Sequence, residues 1–328
     1  MGRLLKSPFR PAWWLSNAHL QTLWPSLFRR RRPPALEAER LELDDGDFID
    51  LSWVRGAQGP CVLVLHGLEG SLDSHYAGGT LSALAAAGYR PVFMYFRGCS
   101  GTPNRLPRGY HSGATEDLLS VLAHLAGRLG EPPFAAVGYS LGGNLLLKYL
   151  GERPPPIPLR AAVAISVPFR LGDAVGRLDR GFSRLYQRHL VGRLRASYQR
   201  KFATLPSPLG VDVARLRSFF AFDDQVTAPL HGFAGARDYY NRCSCRQFLA
   251  GIATPTLILH ARDDPFMFPS TLPSAAELGP ATTLEVSEGG GHVGFVSGRL
   301  PWRPRYWAEE RLVAFLDQIR HGGSRGLV

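Results

Sequence analysis

The chain has 328 residues, 45% hydrophobic and 20% charged, which is typical of a folded globular protein and argues against disorder. The net charge of +11 comes from 38 basic residues, of which only Lys6, Lys148 and Lys201 are lysines. Because most of the arginines are scattered along the chain, this charge does not indicate a nucleic-acid-binding surface.

The cysteine pattern and the hydropathy narrow the class of protein further. Cys61, Cys99, Cys243 and Cys245 form no C-x-x-C pair and no Cys/His ligand spacing, so reduced thiols and no metal or cofactor are expected. The N-terminus lacks the apolar centre of a signal peptide, and no apolar run reaches the length of about 18 residues that a membrane-spanning helix needs. The sequence predicts a cytoplasmic protein without a transmembrane segment.

Residues 1–38 are interpreted as an N-terminal extension packed on the core. Large apolar side chains recur through this segment, namely Trp13, Trp14, Leu15, Leu20, Leu23 and Trp24. The segment is expected to cover the core, with docking on a lipid surface as the alternative. The arginine run 29–32 is interpreted as solvated surface, with an anionic membrane as the alternative.

Residues 39–328 are predicted to form one α/β domain with a mostly parallel sheet. Two alternating runs, 40–43 and 48–53, flank Asp44-Asp45-Gly46-Asp47 and predict a hairpin. Unbroken apolar strands of a sheet buried on both faces then follow at 61–65, 91–96, 134–138, 161–167, 256–260 and 283–286. Helices are predicted between or after them near 81–87, 115–128, 141–151 and 307–319.

The loop after the first of these strands reads His66-Gly67-Leu68-Glu69-Gly70. It stands where an oxyanion hole obtains one of its backbone N–H donors, so Leu68 is predicted to donate. His66 and Gly67 are further candidates for the pocket wall. Arg97 and His111 also lie in loops after core strands, where bracing of the loop is favoured over lining of the pocket.

Gly138-Tyr139-Ser140-Leu141-Gly142 separates the apolar strand 134–138 from the helical run that starts at Leu141. This strand–turn–helix setting is what the nucleophile elbow of an α/β-hydrolase needs, with Ser140 as the nucleophile. Glycines must flank the serine, because Cβ atoms would clash across the tight bend. The N–H of Leu141 is predicted as the second oxyanion donor, and Tyr139 is another candidate pocket residue.

Residues from about 171 to 248 have helical spacing and no convincing strand. The stretch is too long for a simple connection between two core strands, so it is interpreted as a helical insertion. Such an insertion is expected to form a cap or lid over the site, with a purely structural layer as the alternative.

The two remaining members of a triad follow the serine in the order that this fold requires. Asp263 and Asp264 follow the strand 256–260 and precede Pro265. Asp264 is preferred as the acid because the proline fixes it in a turn. Asp263 is expected to hydrogen-bond the loop instead. His292 lies in a glycine-rich loop after the last strand, so its ring can approach the serine and act as the base.

Several motifs together resemble a narrower group, the YheT-like α/β-hydrolases, which include bacterial YheT proteins and animal ABHD-type lipid hydrolases. The matching stretches span nearly the whole chain: 17–22, 66–71, 96–101, 110–113, 232–240 and 263–266. The resemblance implies a triad of Ser140, Asp264 and His292 and carboxylic-ester substrates, often acylglycerols or other lipid esters. The membrane anchor of the animal relatives has no counterpart in this sequence.

The sequence therefore predicts a cofactor-independent serine hydrolase that cleaves short- to medium-chain or lipid esters through an acyl-enzyme. One alternative is an acyltransferase that passes the acyl group to an alcohol. Another, from a different class, is a hydrolase fold that only binds a lipid.

Overall fold

The computed structural model describes residues 1–29 and 33–322. Arg30, Arg31 and Arg32 of the predicted solvated run lie outside the described residues. Within the described ranges, no helix is long and apolar enough to cross a bilayer.

A nine-stranded sheet forms the centre of the molecule, in the order β1-β9-β8-β7-β6-β4-β5-β3-β2. All neighbouring strands are parallel except β2 and β3, which pair antiparallel with each other, and β3 with β5. The strands are β1 (Arg3–Lys6), β2 (Leu36–Glu42), β3 (Phe48–Val54), β4 (Cys61–Leu65), β5 (Arg90–Met94), β6 (Ala135–Tyr139), β7 (Ala161–Ile165), β8 (Thr256–Ala261) and β9 (Thr282–Ser287). This is the mostly parallel α/β sheet that the sequence predicted.

Helices cover both faces of the sheet. On one face, α2 (Ala77–Ala86) and α10 (Trp307–His321) bury Leu81 and Leu312 against β4 and β6. On the other face, α3 (Thr115–Leu129) and α4 (Leu141–Glu152) bury Leu118 and Leu145. Since every residue of β4, β6 and β7 is buried, these strands need no polar face, which explains their continuous apolar sequences.

The predicted core elements differ from the observed ones mainly at their ends. The helix α2 begins at Ala77, four residues before the predicted 81, because Ala77, Gly78 and Gly79 fit close against the core without an apolar periodicity. β1 was not predicted, since its four residues are all exposed and show no alternation. It forms the edge of the sheet beside β9.

Residues 166–255, all of which the structure describes, contain no strand and lie between β7 and β8. They form α5 (Leu171–Leu178), α6 (Ser183–Lys201), α7 (Phe219–Phe222), α8 (Ala228–Leu230) and α9 (Ala236–Cys243), with a π-helical turn at Asp223–Thr227. Apolar side chains of α5, α6 and α7 pack together, among them Leu178, Tyr186, Val191 and Phe219. We call this layer the cap.

The N-terminal segment is tied to the core by polar contacts as well as apolar ones. Its helix α1 (Ala18–Phe28) places the Gln21 amide between two chain segments, donating to the Leu15 and Val296 carbonyls and accepting from the Val296 N–H. Val296 belongs to β10 (Val296–Ser297), which pairs antiparallel with β11 (Arg305–Tyr306). A buried amide with all of these bonds fixes the register between α1 and the chain after β9.

Arg97 lies at the centre of a buried ionic cluster. Its guanidinium is bidentate to Asp117 of α3, at 2.8 and 2.7 Å, and reaches Asp47 at 2.9 Å and Asp45 at 2.8 Å in the hairpin turn. Because the Arg97 side chain is 3% exposed, the four groups hold the loop after β5 against the hairpin and α3. This contact agrees with the favoured bracing role, and Arg97 also borders the pocket described below.

Arg97→Met is expected to lower the free energy of unfolding by about 3–5 kcal/mol, because it leaves buried carboxylates without their cation. The turnover number per folded molecule should stay within about twofold of the parent. Chemical denaturation and active-site titration measure the two quantities. Arg128→Met, on the exposed side of α3, is the control, and a variant of full stability but lost turnover would contradict the bracing role.

Candidate active site

The candidate residues meet at one edge of the sheet. Ser140 follows β6, and the loops with Asp264 and His292 follow β8 and β9. The loop 66–70, which is predicted to supply an oxyanion donor and which we call the oxyanion loop, follows β4. These four strands are parallel, so their carboxyl ends lie on the same side of the sheet. The topology thus brings together residues that are more than a hundred positions apart in the sequence.

Ser140 has φ 50° and ψ −114°, a conformation that non-glycine residues rarely adopt. The turn is tight on both sides: a Cβ at Gly138 would lie 2.4 Å from the Gly142 carbonyl oxygen, and a Cβ at Gly142 would lie 2.4 Å from the His66 carbonyl oxygen. Only glycine fits these two positions. The strained turn lifts the Ser140 hydroxyl out of the sheet at the start of α4.

Three polar side chains form one hydrogen-bonded chain at this point. His292 Nε2 lies 3.0 Å from Ser140 Oγ, and His292 Nδ1 lies 2.8 Å from Asp264 Oδ2. The Asp264 side chain is 1% exposed, and the His292 ring stacks on Phe266 with 3.9 Å between centroids. The arrangement has the connectivity that activates a serine hydroxyl: a base on the hydroxyl and a carboxylate that orients the base.

The adjacent aspartates point to different partners. Asp264 bonds His292 through Oδ2 and accepts the Phe266 N–H through Oδ1, at 2.8 Å each. Asp263 accepts the Gly291 N–H at 3.0 Å, and its burial raises the pKa of its carboxyl above the ordinary value. Both carboxylates therefore hold the His292 loop, one through the ring and the other through the backbone.

The N-terminal helix α1 also contacts the His292 loop, a role that the sequence reasoning did not find. The His292 N–H donates to Thr22 Oγ1 at 2.9 Å, and Thr22 Oγ1 donates to the Ala18 carbonyl at 2.8 Å. On the other side, the Val293 N–H donates to Ser166 Oγ. The only sequence signal for Thr22 was its place in the 17–22 motif, which carried no indication of what it touches.

The oxyanion loop lies directly against the serine. A Cβ on Gly67 would be 3.3 Å from the Ser140 Cβ, so the backbone passes close to the hydroxyl. The neighbouring N–H groups are occupied, since Gly67 donates to Tyr76 Oη and Glu69 donates to Tyr110 Oη, both at 2.8 Å. In the described part of the chain, the N–H groups of Leu68 and Leu141 have no protein acceptor.

His66 and Tyr139 are buried beneath the oxyanion loop and Ser140, where they support the backbone and do not line the pocket. His66 is fully buried; its Nε2 accepts the Phe96 N–H at 3.0 Å, so its Nδ1 carries the proton and donates to the Gly67 carbonyl at 2.6 Å. Burial lowers the pKa of His66 to about 4, which keeps the ring neutral. Tyr139 bonds Thr80 and stacks on Tyr76, and Gly67 has no side chain to present.

A pocket opens between Ser140 and the cap. Much of its wall is apolar, including Leu68, Leu141, Leu178, Leu194 and Phe219. Arg97 and His111 border its polar end. His111 accepts the Gly113 N–H at 3.1 Å, and its burial holds the pKa well below the ordinary value, so this ring is also neutral.

The polar end contains a buried carboxyl group that the sequence did not indicate. Asp223, in the π-helical turn of the cap, accepts hydrogen bonds from Thr227 Oγ1 and Tyr240 Oη at 2.7 Å each. Burial raises the pKa of Asp223 to about 6. The pocket therefore pairs a long apolar wall with a small group of fixed polar side chains, as is typical of a small-molecule site.

The cap also contacts the oxyanion loop through Glu69, which has φ 51°. Arg193 of α6 donates to the Glu69 carbonyl at 2.5 Å, and Ser197 of α6 bonds the Glu69 carboxylate. Tyr110 Oη donates to the same carboxylate at 2.9 Å. The backbone next to Leu68 is consequently held by the cap and not only by the sheet.

Comparison with known proteins gives the family. Residues 60–298 match the family model described as the alpha/beta hydrolase fold. Over 315 residues the chain is 46% identical to an Escherichia coli K12 protein named "Putative esterase YheT", covering 94% of this chain and 92% of that one. It is 30% identical over 310 residues to mouse phospholipase ABHD3, covering 91% and 75% of the two chains.

A more distant relative is a monoacylglycerol lipase of Saccharomyces cerevisiae, 29% identical over 267 residues, with 78% of this chain and 59% of that one covered. Among solved structures, the esterase Pf2001 of Pyrococcus furiosus superposes with a TM-score of 0.56 at 18% identity. The superposition covers 87% of this chain and 92% of that one, and it shows a shared fold. The helix α1 lies outside the matched span 60–298.

Thr22→Val is expected to reduce kcat about tenfold with little change in KM, because the isosteric side chain cannot accept the His292 N–H and the ring loses its fixed position. Thr22→Ser keeps the acceptor and should restore most of the rate. Steady-state kinetics on a soluble ester separate kcat from KM. If Val and Ser variants were equally slow, packing and not the hydrogen bond would explain the loss.

Proposed function

Because this chain is a YheT-like member of the α/β hydrolase fold family, we propose that it is a serine esterase that cleaves carboxylic esters through an acyl-enzyme. The single observation that supports this most strongly is the hydrogen-bonded chain from Ser140 through His292 to Asp264 at the mouth of an apolar pocket. The names of the relatives, an esterase, a phospholipase and a monoacylglycerol lipase, point to the same ester chemistry.

The first half of the proposed reaction forms the acyl-enzyme. Ser140 Oγ attacks the ester carbonyl carbon while His292 Nε2 accepts the hydroxyl proton. The negative charge on the carbonyl oxygen is stabilised by the N–H groups of Leu68 and Leu141, which have no acceptor within the described chain. The tetrahedral intermediate then breaks its bond to the leaving oxygen, which takes the proton from His292 and departs as the alcohol.

The second half repeats these steps with water. His292 removes a proton from a water molecule, whose oxygen attacks the acyl carbon, and Ser140 leaves with the proton that His292 returns. The carboxylic acid is the second product. Throughout, Asp264 keeps the proton on Nδ1 of His292 and stabilises the charged ring, so that Nε2 always faces the serine.

The pocket favours an ester with an apolar acyl group. Side chains such as Leu178, Leu194 and Phe219 offer no hydrogen bonds to an acyl chain and gain from its burial. The polar group around Asp223 and His111 suits the more hydrophilic part of the substrate. We therefore propose medium-chain or lipid esters, and a series of p-nitrophenyl esters of increasing acyl length measures the preference.

Ser140→Ala is expected to lower kcat for p-nitrophenyl butyrate by at least about 1,000-fold, since no other group can form the acyl-enzyme. Ser120→Ala, on the exposed side of α3, should act like the parent. A fluorophosphonate probe, which rapidly labels only an activated serine, should label the parent and not the Ser140 variant. Absence of labelling in folded parent protein would instead favour a non-catalytic binding protein.

Variants of the two aspartates distinguish positioning of the His292 ring from positioning of the His292 loop. Asp264→Asn is expected to cut kcat by about 10,000-fold, because the amide stabilises the wrong tautomer of His292. Asp263→Asn should cost roughly a kcal/mol of stability and leave most of the rate, since the Asp263 carboxylate bonds the backbone of the loop and not the His292 ring. Kinetics and thermal unfolding of both variants test this, and a reversed pattern would make Asp263 the acid.

A further inference from the structure

Helix α1 buries two polar side chains and exposes three of its large apolar ones, while Leu23 and Trp24 are partly buried. Its buried residues are Gln21, Thr22 and Pro25, of which the first two bond the chain around His292. Leu20, Leu27 and Phe28 are 50%, 62% and 61% exposed. Because Leu20 and Leu27 are seven residues apart, they lie on nearly the same line of the helix, with Phe28 beside them.

Other exposed apolar side chains adjoin this helix. Trp13 precedes it and donates to the Arg299 carbonyl, next to Leu300 and Trp302, while Phe182 at the start of the cap helix α6 packs on His19 with 4.5 Å between ring centroids. Together these residues form what we call the apolar surface: Trp13, Leu20, Leu27, Phe28, Phe182, Leu185, Leu300 and Trp302. They are eight of the twelve large apolar side chains that are exposed in the described ranges.

The charge around the apolar surface is mostly positive, with the exposed carboxylates Asp179 and Glu310 just outside the segments that supply it. The sequence has no aspartate or glutamate in residues 1–36, 180–211 or 289–308, the three segments that supply the surface. Exposed arginines at its borders include Arg10, Arg180, Arg184, Arg188, Arg299 and Arg303. Arg29 does not contribute, because it is buried and paired with Glu309.

We propose that the apolar surface docks on an anionic lipid membrane. Tryptophan, phenylalanine and leucine side chains enter the headgroup boundary of a bilayer, and flanking arginines bind its phosphates. A second copy of this chain fits less well, because a symmetric contact would bring together two surfaces on which arginines outnumber carboxylates. The charge pattern therefore selects an anionic lipid surface as the occupant.

The docking surface adjoins the candidate active site. The exposed Phe182 and the buried Tyr186 lie on one end of α6; Tyr186 contacts Phe266, with 5.0 Å between centroids, and Phe266 stacks on His292. On the other side, α1 supports His292 through Thr22. A membrane bound at this face would place lipid esters next to the pocket. Delivery of an ester substrate in this way rests on the proposed function, whereas docking itself does not require Ser140.

Co-sedimentation of the full-length protein with vesicles tests the docking. The protein should bind vesicles of phosphatidylcholine mixed with phosphatidylglycerol, bind pure phosphatidylcholine much more weakly, and lose binding as salt is raised. Leu20→Ser/Leu27→Ser should reduce partition about tenfold. Arg184→Gln/Arg188→Gln should reduce partition about 25-fold, since each arginine near an anionic surface contributes about fivefold.

The matched control is Arg55→Gln/Arg128→Gln, which removes two exposed arginines near the opposite edge of the sheet and should leave partition unchanged. The three double variants should keep the parent rate on soluble p-nitrophenyl butyrate and the parent unfolding temperature. The Ser140→Ala protein should sediment like the parent, so loss of ester hydrolysis and loss of docking are read separately.

Three results would overturn the proposal. They are the absence of vesicle binding by the parent, equal binding by the surface variants, and a parent dimer that Leu20→Ser/Leu27→Ser converts to a monomer. The last result would show that a second copy covers the surface. Size-exclusion chromatography of parent and variant at several concentrations measures it.

Discussion

The tight turn at Ser140 constrains everything around the candidate active site. A residue with φ 50° between a fully buried strand and a buried helix persists only where the surroundings leave no relaxed alternative. Gly138 and Gly142 provide the space, and the close packing of β4 and α4 prevents the backbone from moving away. The hydroxyl is therefore presented in a fixed direction, and His292 and the oxyanion loop need only be positioned relative to it.

Two elements outside the sheet complete that positioning. The N-terminal helix α1 accepts the His292 N–H through Thr22, and the cap helix α6 holds the backbone of Glu69 beside Leu68. Both helices also border the apolar surface. The proposed proton transfer, the proposed oxyanion stabilisation and the proposed lipid contact thus depend on the same two helices. Displacement of either helix would change the geometry of the candidate site as well as the surface.

Charge is distributed according to burial. In the buried Arg97 cluster the cation has carboxylate partners within hydrogen-bond distance. The buried histidines His66 and His111 are instead neutral and serve as hydrogen-bonding groups. Other arginines are exposed, and several of them border the exposed apolar residues of α1 and the cap.

The sequence by itself determined the parallel sheet, because strands buried on both faces must be continuously apolar. It also gave the chain order of a serine, an aspartate and a histidine, with Asp264 preferred over Asp263. It also predicted the tight turn at Ser140, since the flanking glycines are a requirement of the turn itself and are read directly from neighbouring positions. Only the tertiary structure decided that Asp264 faces His292 while Asp263 faces Gly291, and that Thr22 supports a residue 270 positions away. Periodicity reports which face of an element is buried, but the direction of one side chain on a turn and the partner of a distant loop depend on how the whole chain packs.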